Sequence, residues 1–148
     1  MFRKKLFAGW GDMDFNSHMR NTAYLDKSGD VRMMFFAQHG FPAGEFARLR
    51  FGPVVRTDLV EYFREIGLLE EVDVTLALAG LSDDGSRFRV RNEFHRADGK
   101  LAARVTSTGG WLDLAGRKLF APPQGLLDAL RSLDRTADFE VLETSVKP

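Results

Sequence analysis

Apolar positions recur along this chain at two different periods, and the change of period divides it. Lys4 to Trp10 reads as a short first strand, and Gly11 to Arg20 as a polar loop. From about Asn21 to His39 the spacing is helical, with Leu25, Ser28, Gly29, Arg32, Phe35 and Phe36 near one face. Asn21 suits an N-cap, because its side chain can accept from first-turn amides. Ser28-Gly29 lies mid-stripe, where the helix is expected to press closely on another backbone. Gly40 supplies the stop and Pro42 follows it.

Beyond Pro53 the period becomes two. Val54 to Ile66 reads as a long strand, and Val72 to Leu81 as another with Val74, Leu76 and Leu78 on one face. Asp83-Asp84-Gly85 turns the chain. Arg87 to Arg96 then alternates strictly, with Phe88, Val90, Asn92 and Phe94 opposite Arg87, Arg89, Arg91, Glu93 and His95. After the turn Ala97-Asp98-Gly99, Leu101 to Leu114 is the last long strand, and Gly109-Gly110 marks a bulge or bend. Pro122-Pro123 leads to a short helix, about Gln124 to Leu133. A strand, a long helix, four meandering antiparallel strands and a short C-terminal helix make an α+β architecture. One sheet around one helix leaves an edge and a flank open, so a second copy is expected to cover them.

Composition narrows the function. The 148 residues, 44% of them hydrophobic with 13 Phe, suit one domain spanning 1–148. Basic and acidic residues balance at 21 each, without the basic excess by which domains grip nucleic acid. With no cysteine, thiol nucleophiles, disulfides and Cys-ligated metals are excluded. The apolar run after the basic N-terminus stops at Gly11-Asp12, too short for a signal peptide, and no stretch approaches the roughly 20 residues of a membrane span. A cytoplasmic protein with no nucleic-acid or membrane partner is the expectation.

The densest cluster of polar, reactive groups is the loop from Trp10 to Arg20, which runs straight into the helix start. Free amides and the helix dipole favour negative charge there. A carboxylate folded back from upstream would stand beside a site for a developing oxyanion, as acyl transfer requires. Asp12 suits a structural acceptor. His39 suits a helix C-cap, and His95 a solvated strand position. Three histidines without ligand spacing give no metal site. The row Arg87, Arg89, Arg91 reads most simply as a solvated face.

Asp12-Met13-Asp14, then His18-Met19-Arg20-Asn21 and Tyr24-Leu25, resembles the opening D-x-D-x-x-G-H-[VM]-x-N-x-x-Y-L signature of hotdog-fold acyl-CoA thioesterases, the 4-hydroxybenzoyl-CoA thioesterase-like branch. Phe63-Arg64-Glu65-Ile66 with Asp73-Val74 is similar to a later segment, and Asp98-Gly99-Lys100, Trp111-Leu112-Asp113 and Pro122-Pro123 to the end. The resemblance implies an antiparallel five-stranded sheet wrapped around one long central helix, and a homodimer or homotetramer. It implies Asp14 as the carboxylate that attacks the thioester or activates water, with a backbone amide near Asn21 polarising the carbonyl. His18, Asn21, Thr22 and Tyr24 would contact substrate and Arg20 the CoA phosphates. No cofactor is implied, acyl-CoA being the substrate.

Two departures stand out: Ser17 replaces the usual glycine, and Arg20 a frequent asparagine. They bear on substrate choice more than on reaction type. Glu65 is common in that family, although a cross-strand pair with an arginine explains it equally well. The rivals are an enoyl-CoA hydratase or dehydratase, whose D-x-N-P-x-H motif Asp14-Phe15-Asn16-Ser17-His18 approaches without its proline, and a non-catalytic acyl-binding protein.

Overall fold

A computed structural model describes residues 1–147. Its strands are β1 (Phe2–Phe7), β2 (Phe51–Tyr62), β3 (Glu71–Ser82), β4 (Arg87–Arg96), β5 (Leu101–Asp113), β6 (Lys118–Leu119) and β7 (Arg135–Leu142). Its helices are α1 (Asn21–Gln38), α2 (Ala43–Leu49) and α3 (Gln124–Ser132). The α+β expectation holds, but the sheet has seven strands rather than five, and α1, at 18 residues, has two companions. The five-strand path is β1-β3-β4-β5-β2, with β6 pairing β5 and β7 pairing β3.

The order corrects the four-strand meander. Only β3, β4 and β5 follow one another; β2 crosses over and pairs with β5 from Phe51↔Asp113 to Tyr62↔Ala103. Its other edge has no partner strand among the described residues. Pro53 fits that position, because an edge strand does without one ladder donor. The pairing register slips between Val55 and Thr57, opposite Gly109 and Thr108. A Cβ on Gly109 would lie 2.0 Å from the Val54 carbonyl oxygen, so only glycine fits this crossing.

The alternation read from β3 and β4 holds: Val72, Val74, Leu76 and Leu78, with Phe88, Val90, Asn92 and Phe94, are buried. α1 lies on this face through Tyr24, Ser28, Val31 and Phe35, one step around from the expected stripe. Leu25 is therefore partly exposed, and a Cβ on Gly29 would meet nothing within 4 Å, so the close backbone approach expected there is absent. Trp111 closes the far end inside Phe36, Phe46, Phe51 and Phe88, its indole N–H donating to the Gly85 carbonyl at 3.1 Å. Full burial of such a ring contributes about 3 kcal/mol or more.

α2 and β7 escaped the pattern reading. α2 is a short helix behind Pro42, ended by Arg50 in the left-handed region (φ 57°). β7 runs parallel to β3 beyond the end of β1, an arrangement set by long-range contacts. It is held by the arginine row: Arg91 grips Asp138 with two bonds of 2.9 Å, and Arg89 reaches Glu140. The row is thus a clamp for β7 rather than a merely solvated face. His39 caps α1 as expected, its Nδ1 2.9 Å from the Phe35 carbonyl.

Candidate active site

The loop before α1 is folded by its own polar groups. β1 ends at Phe7, earlier than its pattern suggested, and Trp10–Asp12 form a single 3₁₀ turn. Asp12 closes that turn: its Oδ2 accepts from the Gly9 amide at 2.8 Å and pairs with Lys27 at 2.9 Å. Burial pushes its carboxyl up, but these bonds and the charges of Lys27 and Arg20 outweigh it and hold the pKa below the usual range. This is a structural acceptor.

Met13 and Met19 bridge as a two-residue ladder, so the chain from Asp14 to His18 is a tight loop. Asp14 accepts the Asn16 amide at 2.8 Å on Oδ1, and its own amide donates to the His18 carbonyl at 3.1 Å. Ser17 sits at φ 63°, the left-handed conformation that favours glycine, which accounts for the glycine usual there in the resembled motif. The loop is pinned from outside by Met19 N–H to the Ile66 carbonyl and Arg20 N–H to the Asp12 carbonyl, both 2.7 Å.

Asp14, His18, Met19, Asn21 and Tyr24 line one cavity of about 400 Å³ with Tyr62, Phe63, Arg64 and Glu65 from the end of β2. The second carboxylate oxygen of Asp14 lies 3.5 Å from His18 Nδ1, and that nitrogen is also 3.1 Å from the Met19 carbonyl. Asp14 and His18 side chains are each 27% exposed, within reach of a ligand. Tyr24 forms the floor, edge-on to Tyr62 and Phe94 at 5.2 Å each. Burial pushes its phenol up to about 12, with Tyr62 and the nearby carboxylates adding to the effect, so it stays neutral.

Asn21 is not the N-cap. Arg20, in an extended conformation, occupies that position and Asn21 begins the helix. No side chain caps the end, and among the described residues the Asn21 and Thr22 amides have no protein acceptor. An uncapped helix start facing a cavity is an anion site in waiting. Arg20 and Thr22 stand apart from the cavity lining. The Arg20 guanidinium donates to Thr22 Oγ1 at 2.9 Å and to the Gly11 carbonyl, and lies 3.7 Å from Asp26, bracing the loop from behind.

Tyr62, Phe63 and Arg64 were not singled out from the sequence as site residues. They arrive through the β2–β5 pairing, and Tyr62 is tied to the helix start by its hydroxyl donating to the Asn21 carbonyl at 3.0 Å. Among the described residues no group of three or more His, Cys, Asp or Glu could hold a metal ion, and no helix is long and apolar enough to cross a membrane.

The model of the thioesterase-like superfamily matches residues 8–130. Among solved structures, a Staphylococcus aureus hypothetical protein in complex with CoA is 20% identical at a TM-score of 0.83, over 94% of this chain and 89% of that one. A 1,4-dihydroxy-2-naphthoyl-CoA thioesterase from Synechocystis is 16% identical at 0.79, over 89% and 96%. The dynemicin thioesterase is 21% identical at 0.80, over 92% and 99%. The sequence matches no curated protein.

Proposed function

The chain belongs to the thioesterase-like superfamily, and we propose that it hydrolyses acyl-CoA thioesters with Asp14 as the reacting carboxylate. The observation that carries this reading is one cavity bearing both a partly exposed carboxylate and an uncapped helix start. A thioester carbonyl directed at the Asn21 amide is polarised, and its tetrahedral oxyanion is stabilised where it forms. Asp14 then acts in one of two ways on the same carbon. As general base it takes a proton from water, whose oxygen adds to the carbonyl; the C–S bond breaks and the thiolate of CoA leaves with the proton. As nucleophile it forms an acyl anhydride with loss of the thiolate, and water hydrolyses that anhydride.

The His18 ring stands beside the free oxygen of Asp14, its Nδ1 3.5 Å away. Tyr24 and Tyr62 flank the thioester, and Arg64, exposed at the rim, is available to the phosphates of CoA. Arg20 and Thr22 serve by bracing the loop rather than by touching substrate. No cofactor enters either route. The unpaired edge of β2, with Leu59 and Tyr62 exposed, is the face a second copy covers, as a dimer requires.

The test is an assay of purified protein against short, long and aromatic acyl-CoAs, reading free CoA with a thiol-reactive dye; a chain without cysteine gives no background. Release of CoA from at least one ester is expected. Silence across the panel together with hydration of crotonyl-CoA would replace this reading by the hydratase.

A further inference from the structure

A second cavity, of about 330 Å³, lies along the flank of α1 against β2 and β4, lined by Leu25, Gly29, Met33, Phe36, Val55 and Arg32 among others. It runs alongside the same two elements whose ends meet at the Asp14 cavity, where Tyr62 of β2 bonds to Asn21 of α1. Its walls are mostly apolar, and Gly29 leaves its centre open, since a Cβ there would touch nothing within 4 Å.

Arg32 is the one cation in this lining, which also carries two exposed carboxylates, Asp26, paired with Arg20 at 3.7 Å, and Asp30. The Arg32 Nε donates to Asn92 Oδ1 at 2.9 Å and its Nη2 to Ser107 Oγ at 2.8 Å. Both acceptors are fully buried and neutral. Ser107 in turn donates to Asp58, so that carboxylate is reached only through a hydroxyl. No carboxylate lies within 4.0 Å of the guanidinium, and Nη1 has no protein acceptor, among the described residues. Burial pulls the Arg32 pKa down to about 10, with Asp58 only partly opposing it. A largely buried cation without a direct anion is costly, and an acceptor oxygen brought by a ligand would offset that cost.

We propose that this groove holds the acyl arm of the substrate and that Arg32 selects an arm bearing a carbonyl or carboxylate oxygen away from the thioester. The inference rests on the thioesterase reading and names its substrate class. Arg32 is eleven residues beyond Asn21, roughly 16 Å along the helix, and helical side chains lean back toward the N-terminus. The oxygen it meets is therefore remote from the reacting carbonyl, on a chain of medium length. The apolar walls take the intervening methylenes.

Binding of non-hydrolysable CoA thioethers separates this claim from turnover. S-alkyl-, S-(oxoalkyl)- and S-(ω-carboxyalkyl)-CoA of equal chain length are titrated calorimetrically into wild type, Arg32→Met and Arg32→Lys. At least one oxygenated arm is expected to bind ten times or more tighter than the alkyl arm, a preference kept in part by Arg32→Lys and lost in Arg32→Met. The preferred arm tells carbonyl from carboxylate. Melting curves of both variants establish that they are folded. Equal binding of all three arms to wild type, as when a second copy of the chain fills the groove, overturns the proposal, and so does a preference that survives in folded Arg32→Met. Thioether binding without hydrolysis of the matching thioester would count against the thioesterase reading alone.

Discussion

Asp14 and Asp84 are both aspartates in short loops, and the structure treats them oppositely. Asp84 sits in the β3–β4 turn, where its Oδ1 accepts from Ser82 Oγ at 2.8 Å, Ser86 N at 3.0 Å and Ser86 Oγ at 2.8 Å. Its other oxygen accepts from Thr144, so the turn also ties down the segment after β7. Burial pushes this carboxyl up, but the hydroxyl and amide donors prevail and hold it at about 2. Asp14 has one amide donor and a histidine at 3.5 Å, and the rest of its capacity faces a cavity. A carboxylate whose lone pairs are all engaged stabilises a fold; one with an unengaged oxygen beside free amides is equipped for chemistry.

Substitutions at the two positions should therefore separate function from stability. The largest effect is expected at Asp14→Ala, whose hydrolysis rate falls by about a hundredfold or more while the melting temperature stays within about two degrees. A rate within a few fold of wild type would break the contrast. Asp84→Asn should do the reverse, lowering the melting temperature by a few degrees and leaving kcat unchanged. The sign with pH follows from the depressed folded-state pKa. Stability from Asp84 is complete above its ordinary value of about 3.9, and is lost as pH falls through about 2. Melting curves between pH 5 and 2 should decline less steeply in Asp84→Asn than in wild type. The smallest effect belongs to Ser17→Gly. Relief of its φ of 63° raises stability by at most about 1 kcal/mol, because glycine also loosens the unfolded chain. A fall in melting temperature would show that Ser17 is held by more than backbone geometry.

The sequence made the Asp14 loop legible because its chemistry is local: the aspartates, His18 and the helix start lie within ten residues of one another. The inward faces of β3 and β4 were legible for the same reason, their alternation being uninterrupted. The alternation even carried a signal left unused. Asn92 falls on the buried face, and a buried amide requires a polar partner, which the structure supplies as Arg32. What was not legible depends on registers between distant segments. β2 pairs with β5 and not with β3, and only that pairing brings Tyr62 to Asn21 and Phe63 to the cavity. β7 was missed because its attachment is made by arginines on β4, which period-two patterning reports only as outward-facing. Asn21 was misassigned by type: it suits a cap, but Arg20 stands where the extended chain turns into the helix.

The most direct test is the hydrolysis rate of Asp14→Asn on the best acyl-CoA ester of wild type. The amide keeps an oxygen for the Asn16 N–H, so the loop retains its shape and only the charge and basicity of the carboxylate are removed. The account predicts a folded variant that still binds CoA thioethers and hydrolyses at least about a hundredfold more slowly. Hydrolysis at the wild-type rate would contradict it and remove Asp14 from the chemistry.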